Sequence, residues 1–310
     1  MVDELMAKCG QGDHRELLCA TELFSPRRVD SYEYIRKQEL RALVCGLFEC
    51  RGRAVAVRQH LADATLRNVL RMSIGEKWSG CYGSPEGEEF RRTLDEAFAV
   101  TGAVSNVGEW VPWLGWLDVQ GCVRRMKRLS KVYDRFLERI LDEHDEERRQ
   151  VAMATGTGHG ESAAARDLVD VLLQLAEEEG ETAGTSSTEA RLTRDGVKAF
   201  VQDIIAGGTE SSAVTMEWTM SELLRRPDAA AAATEELDRV VGRSRWVEES
   251  DLARLPYIDA VVKETMRLHP GVSPEDLSME EHVGLSTRRK VPLVAVPEPR
   301  LPAHLYTAMT

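Results

Sequence analysis

The residues best suited to chemistry lie in one run, Ala206-Gly207-Gly208-Thr209-Glu210-Ser211-Ser212. It sets an acid among three hydroxyls, directly after two glycines. A carboxylate beside hydroxyls can pass protons, and glycine lets another body lie close against a backbone. The run sits inside a helical pattern, because Val197, Phe200, Val201, Ile204, Ile205 and Gly208 recur at the spacing of one helix face. A glycine in a helix interior costs about 1 kcal/mol relative to alanine, so two together call for a reason. The same residues also read as a glycine kink beside a solvated acid.

A second stretch, Lys263-Glu264-Thr265-Met266-Arg267-Leu268-His269-Pro270, carries an acid and a base three residues apart. Alone, Glu264 and Arg267 make an ordinary helical pair. In this order and spacing, however, the two stretches closely resemble the I-helix and K-helix signatures of the cytochrome P450 monooxygenases. Glu235 to Gly242 and Leu255 to Ala260 are similar to the plant microsomal branch of that family. The resemblance implies a haem b held by a cysteine thiolate, and electrons from NADPH-cytochrome P450 reductase. It also implies hydroxylation of a small apolar plant metabolite, flavonoid-like or terpenoid, at the cytosolic face of the endoplasmic reticulum.

The same resemblance assigns roles by residue. Glu210 and Ser211 would relay protons, with serine standing where the family usually has threonine. Haem and oxygen would approach across Gly207 and Gly208. Arg15, in His14-Arg15 where the family usually has Trp-Arg, would reach a haem propionate. Glu264 and Arg267 would be structural. Their usual third partner, an arginine of the following meander, has no counterpart here, so they are expected to pair with each other and be partly exposed.

The pattern then departs from the family. The haem loop, Phe-x-x-Gly-x-Arg-x-Cys-x-Gly, is not found, and no cysteine follows Cys122. After Pro270 the chain passes to Gly271 to Glu281 and Gly284 to Leu293, which resemble the family's extreme C-terminal tail. The expected fold is therefore mainly α: an incomplete cytochrome P450 fold with a minor β tail. Its parts are an irregular 1–14, a helical partial domain over 15–270, and a tail segment over 271–310. Two readings follow. The chain is a monooxygenase by descent that lacks its ligand cysteine and is inactive, or it is a non-catalytic helical truncation, at most an interaction module.

Composition sets outer bounds. The chain has 310 residues and a formal net charge of −12, which argues against nucleic acid or an anionic membrane as the main partner. No apolar run is long enough for a transmembrane anchor, and the first residues lack the apolar stretch of a signal peptide. Cys9, Cys19, Cys45, Cys50, Cys81 and Cys122 are scattered and read as reduced thiols. No His-Glu-x-x-His or Cys-x-x-Cys occurs and His60 has no partner at ligand spacing, so no metal site is expected.

Helices must position these residues, and the spacing predicts them near 29–49, 54–74, 88–100, 122–149, 165–176, 195–226, 228–241 and 258–268. Thr193 is the expected N-cap of the 195–226 helix, and Asp195 sits where a carboxylate favours the helix dipole. From Ala213 to Leu224 apolar groups point nearly all round, so that half is expected to be buried. Loops are expected at 80–87, 150–162 and 179–192. Trp110, Trp113 and Trp116 read as a short helical turn on the core or, by the resemblance, as the segment capping the substrate channel. The mixed charge from Arg124 to Glu147 reads as a solvated helix face. Strands are expected only in the tail, where Pro292, Pro297, Pro299 and Pro302 permit an edge strand at best.

Overall fold

A computed structural model describes residues 24–79, 85–101, 121–155, 167–182, 192–269, 281–282, 288–289 and 291–307. Arg15, the Trp110–Trp116 segment, Cys9, Cys19, Cys81 and the Pro270–Gly271 junction lie outside them.

Helices dominate the described chain: α1 Pro26–Ser31, α2 Glu33–Glu49, α3 Val57–Ile74, α4 Glu76–Ser79, α5 Pro85–Thr101, α6 Cys122–Thr155, α7 Leu168–Thr182, α8 Arg194–Arg225, α9 Pro227–Val240, α10 Pro256–Leu268 and α11 His304–Thr307. The strands are two residues each. β1 (Val55–Ala56) pairs antiparallel with β4 (Val294–Ala295), and β2 (Glu281–His282) with β3 (Arg288–Arg289).

The boundaries follow local chemistry. Proline opens α1, α9 and α10, where its missing N–H has no helical partner to lose. Thr193 caps α8 as expected, its Oγ1 accepting the Gly196 N–H at 3.1 Å. The α10 N-terminus is capped from a distance, since the buried Glu236 carboxylate of α9 accepts the N–H groups of Tyr257 and Ile258 at 3.0–3.1 Å.

Several expectations need correction. The helix expected over 29–49 is broken at Tyr32, which caps α1. Strand is not confined to the tail: the expected 54–74 helix begins as β1, because Val55 and Ala56 give their backbone to the tail strand β4. The loops expected at 150–162 and 179–192 are helical as far as Thr155 and Thr182, and helix resumes at Pro85 inside the loop expected at 80–87. Residues 150–155 are Gln-Val-Ala-Met-Ala-Thr, in which Gln, Ala and Met favour helix, and 179–182 hold a single glycine, whose cost of about 1 kcal/mol does not by itself end a helix. The second half of α8 is not apolar all round. Met220 and Leu224 are exposed, while Glu217 and Ser221 are wholly buried.

The described residues gather into two units. The first draws on Met1–Ile35, Val69–Arg91 and Ser130–Ile205, the second on Arg36–Asn68, Arg92–Leu129 and Ala206–Thr310. In the first unit Leu137, Ile140 and Leu141 of α6, Leu168, Val169 and Leu172 of α7, and Val197, Val201 and Ile205 of α8 are buried. Phe90 of α5 stacks on Phe136, with ring centroids 4.2 Å apart, and meets Tyr133 edge-on. Arg194, at the start of α8, is held by Glu138, Asp142 and Asp145 of α6 at 2.6–2.7 Å. In the second unit Leu43 of α2, Val57, Leu61 and Ala64 of α3, Ala213 of α8 and Leu293 of the tail form one apolar cluster.

Candidate functional site: the central turns of helix α8

Helix periodicity divides the Gly-Gly-Thr-Glu-Ser-Ser run between two sides of α8. Thr209 and Glu210 turn inward and are buried, whereas Gly207, Ser211 and Ser212 are exposed. A Cβ built on Gly207 would meet none of the described residues within 4 Å. Ser211 Oγ donates to the Gly207 carbonyl at 2.6 Å, Thr215 Oγ1 to the Ser211 carbonyl at 2.9 Å, and Thr219 Oγ1 to the Thr215 carbonyl at 2.8 Å. This edge is thus a ladder of hydroxyls bonded back to their own helix, which keeps them compact and satisfied.

Glu210 heads a buried polar strip on the other side. Its carboxylate pairs with Arg58 of α3, and Arg288 of β3 lies 3.5 Å away. Two turns on, Glu217 is wholly buried; it accepts the Leu293 N–H at 2.8 Å and stands 3.5 Å from the same Arg58. One turn further, Ser221 accepts from Arg289. Beside it Trp218 stacks on His269, centroids 4.0 Å apart, with the Arg289 guanidinium over its ring at 5.7 Å. His269 Nε2 is 3.0 Å from Glu222. Burial pulls Arg289 down from its ordinary range, against the Glu217 carboxylate, which raises it. A carboxylate inside an apolar run must find a cation or a backbone donor. Glu217 in Met216-Glu217-Trp218 was the legible signal for this strip, one that the apolar reading passed over.

Glu264 and Arg267 form a two-pronged pair, both bonds at 2.7 Å, on the exposed side of α10. The hydrogen bonds from Arg267 lower the Glu264 carboxyl, and the carboxylate raises Arg267 in return.

One cluster has metal-ligand character among the described residues. His144, Asp167 and Asp170 bring their ligand atoms within 4.8 Å of one another. Its bonding is that of a structural clasp. His144 Nδ1 is 2.8 Å from the Ile140 carbonyl and Nε2 is 3.1 Å from Asp167, while the other Asp167 oxygen accepts the Asp170 N–H at the start of α7. Burial alone would push His144 down, but Asp167 and the Ile140 carbonyl outweigh it and lift the imidazole from 6.5 to about 9. A protonated imidazole has no lone pair for a metal.

A helical fold with a glycine-and-hydroxyl edge on one long helix and an acid–base pair on a later one defines a class, and comparison with known proteins identifies it. The family model for cytochrome P450 matches residues 11–277. Trimethyltridecatetraene synthase of Zea mays is 55% identical over 402 residues, covering 94% of this chain and 72% of that protein. Dimethylnonatriene synthase of Zea mays is 52% identical, covering 94% and 74%. A flavonoid 3'-monooxygenase of Petunia hybrida is 35% identical, covering 82% of this chain and 46% of that protein. A zebrafish cytochrome P450 solved with progesterone shares the fold at a TM-score of 0.60 and 22% identity, over 90% of this chain and 57% of that one. The chain belongs to the cytochrome P450 family, in its plant branch. The 402-residue alignment to the first maize enzyme is longer than the 310-residue chain, so part of that enzyme faces no residue here.

The family implies haem held by a cysteine thiolate. Gly207 is exposed, and α8 carries no cysteine. The described thiols stand elsewhere: Cys45 in α2 donates to the Tyr306 carbonyl at 3.0 Å, Cys50 follows α2 beside Arg53, and Cys122 opens α6. The described residues therefore do not fit a haem-thiolate centre. No described helix is long and apolar enough to cross a membrane.

Proposed function

We propose that this chain is a cytochrome P450 of plant terpenoid metabolism that keeps the oxygen-side helix of the family but, as it stands, holds no haem-thiolate and does not turn over. The observation that carries the reading is the donor set: none of the described thiols lies on α8, Cys45 is bonded to the Tyr306 carbonyl, Cys50 lies by Arg53 and Cys122 stands at the start of α6. The long alignment to the maize enzyme supports it, because an internal stretch of the relative has no counterpart here.

In the intact family the haem-thiolate supplies dioxygen activation. The roles that the motif implies for Gly207, Gly208, Glu210 and Ser211 belong to a chain that carries that group. In this one, Glu210 is a buried anion held by two arginines, and Ser211 is a self-satisfied surface hydroxyl. Glu264 and Arg267 pair with each other, with Arg226 near enough to hold Glu264 down further. The substrate class we infer is an acyclic, branched, apolar terpenoid. It rests on the two maize relatives, whose names denote branched polyene hydrocarbons differing by a single isoprenoid repeat. Reductase and the endoplasmic reticulum belong to the same proposal, as partner and place of the parent activity.

The test is reconstitution. The purified chain is supplied with haem, NADPH-cytochrome P450 reductase and an acyclic terpenoid alcohol, and bound haem and product are measured. The reading predicts little retained haem and no NADPH-dependent product. Stoichiometric haem with turnover would contradict it.

A further inference from the structure

We propose that residues 288–289 and 291–307 form a strap that seats on α2, β1, α3, α8 and α9 as one cooperative unit, with the buried carboxylate of Glu217 as the feature that fixes its register. The role lies outside oxygen chemistry and does not depend on haem.

The seat reads the strap along its whole length. At its start, Arg288 lies by Glu210, while Arg289 donates to Ser221 and lies over Trp218. In the middle, the Leu293 N–H donates to Glu217 and the Leu293 carbonyl accepts the Val57 N–H at 2.9 Å, so this one residue is pinned on both sides. Its side chain is buried in the cluster with Leu43, Leu61 and Ala213. Val294 and Ala295 then pair with Ala56 and Val55, and the Pro297 carbonyl accepts the Gly52 N–H at 3.3 Å. At the far end, Arg300 pairs with Asp238 of α9, and Tyr306 stacks on Phe48 with centroids 4.5 Å apart and planes 2° from parallel.

Two features make this a single device. The first is that the strap has almost no structure of its own. Its four-residue helix and two-residue strands cannot persist alone, so each contact depends on the others being made. The second is Glu217. A wholly buried carboxylate needs a donor, and a backbone N–H offers one only at a fixed position along the strap. Sliding the strap by one residue would turn Leu293 out of the core and present Glu217 with Pro292, which has no N–H to donate, or with Val294, whose backbone belongs to the β1 ladder.

Hydrogen exchange on the full chain tests this with two variants at distant points of the strap's path, Glu217→Ala and Tyr306→Ala. Each is expected to raise exchange roughly tenfold or more across both 52–57 and 291–307, with the same footprint, while α6 and α7 keep their protection. If Tyr306→Ala frees only 300–307, or if either variant opens α10 together with the strap, the strap is not a cooperative unit and the proposal fails. Should Glu217→Ala not fold, Tyr306→Ala decides alone by the same footprint.

Discussion

Glu210 and Ser211 are adjacent in the chain yet face different ways from α8: the Glu210 carboxylate is buried against Arg58 and Arg288, and the Ser211 hydroxyl is exposed and bonded to the Gly207 carbonyl at 2.6 Å. Their proximity in sequence is a helical step of about 100°, not a contact.

The arginine that serves this strip is a stability element. Arg58→Ala strips Glu217 of its nearest guanidinium and takes one partner from Glu210, both inside the second unit. Breaking a buried pair from one side costs about 3–5 kcal/mol. We expect a loss near the lower end by urea denaturation, because Arg58 is itself partly exposed. Arg58→Ala combined with Glu217→Gln should recover part of that loss.

Gly207 presents the opposite case. Among the described residues, nothing occupies the space a methyl would take. Gly207→Ala should therefore stabilise the chain by roughly 0.5–1 kcal/mol, the helix-propensity difference. A loss of stability would show that something packs against this edge in solution.

The first unit should weaken with rising pH in two stages. His144 is lifted to about 9, so the stability it contributes is complete below its unfolded value of 6.5 and is lost as pH rises through about 9. Tyr32, near Asp167 and Asp170, is raised by burial from 10.0 to about 12. It stays neutral when folded while the unfolded chain ionises, so a second loss runs from pH 10 towards 12. Asp167→Asn should abolish the first stage and Tyr32→Phe the second, read as melting temperature against pH.

Glu264→Ala should leave the melting temperature unchanged within error. The pair is two-pronged but exposed, with side-chain accessibilities of 49% for Glu264 and 68% for Arg267, and exposed pairs are screened by solvent. A large drop would mean that Glu264 has a buried partner in solution.

Most of the helical frame was legible because long periodic segments leave few alternatives, and Thr193 stands at the start of α8 as its N-cap. The strap was not. Val55–Ala56 and Val294–Ala295 are too short to show alternation, and their pairing spans most of the chain. The site was half legible. Gly207, Glu210 and Ser211 were visible as types, but which of them faced inward depended on Arg58 and Arg288, and no local pattern links those arginines to α8. Loop composition misled at 150–155, where Gln150, Ala152, Met153 and Ala154 are good helix formers and α6 runs on to Thr155.

The central claim is that this cytochrome P450 chain lacks a thiolate for haem iron, and the carbon monoxide spectrum of the reduced, haem-supplied protein tests it most directly. The account predicts no thiolate-type Soret band, and no change when Cys45, Cys50 or Cys122 is replaced by serine. A clear thiolate–carbon monoxide band that disappears on replacing one cysteine, among these or Cys9, Cys19 and Cys81, would contradict the account and identify the ligand.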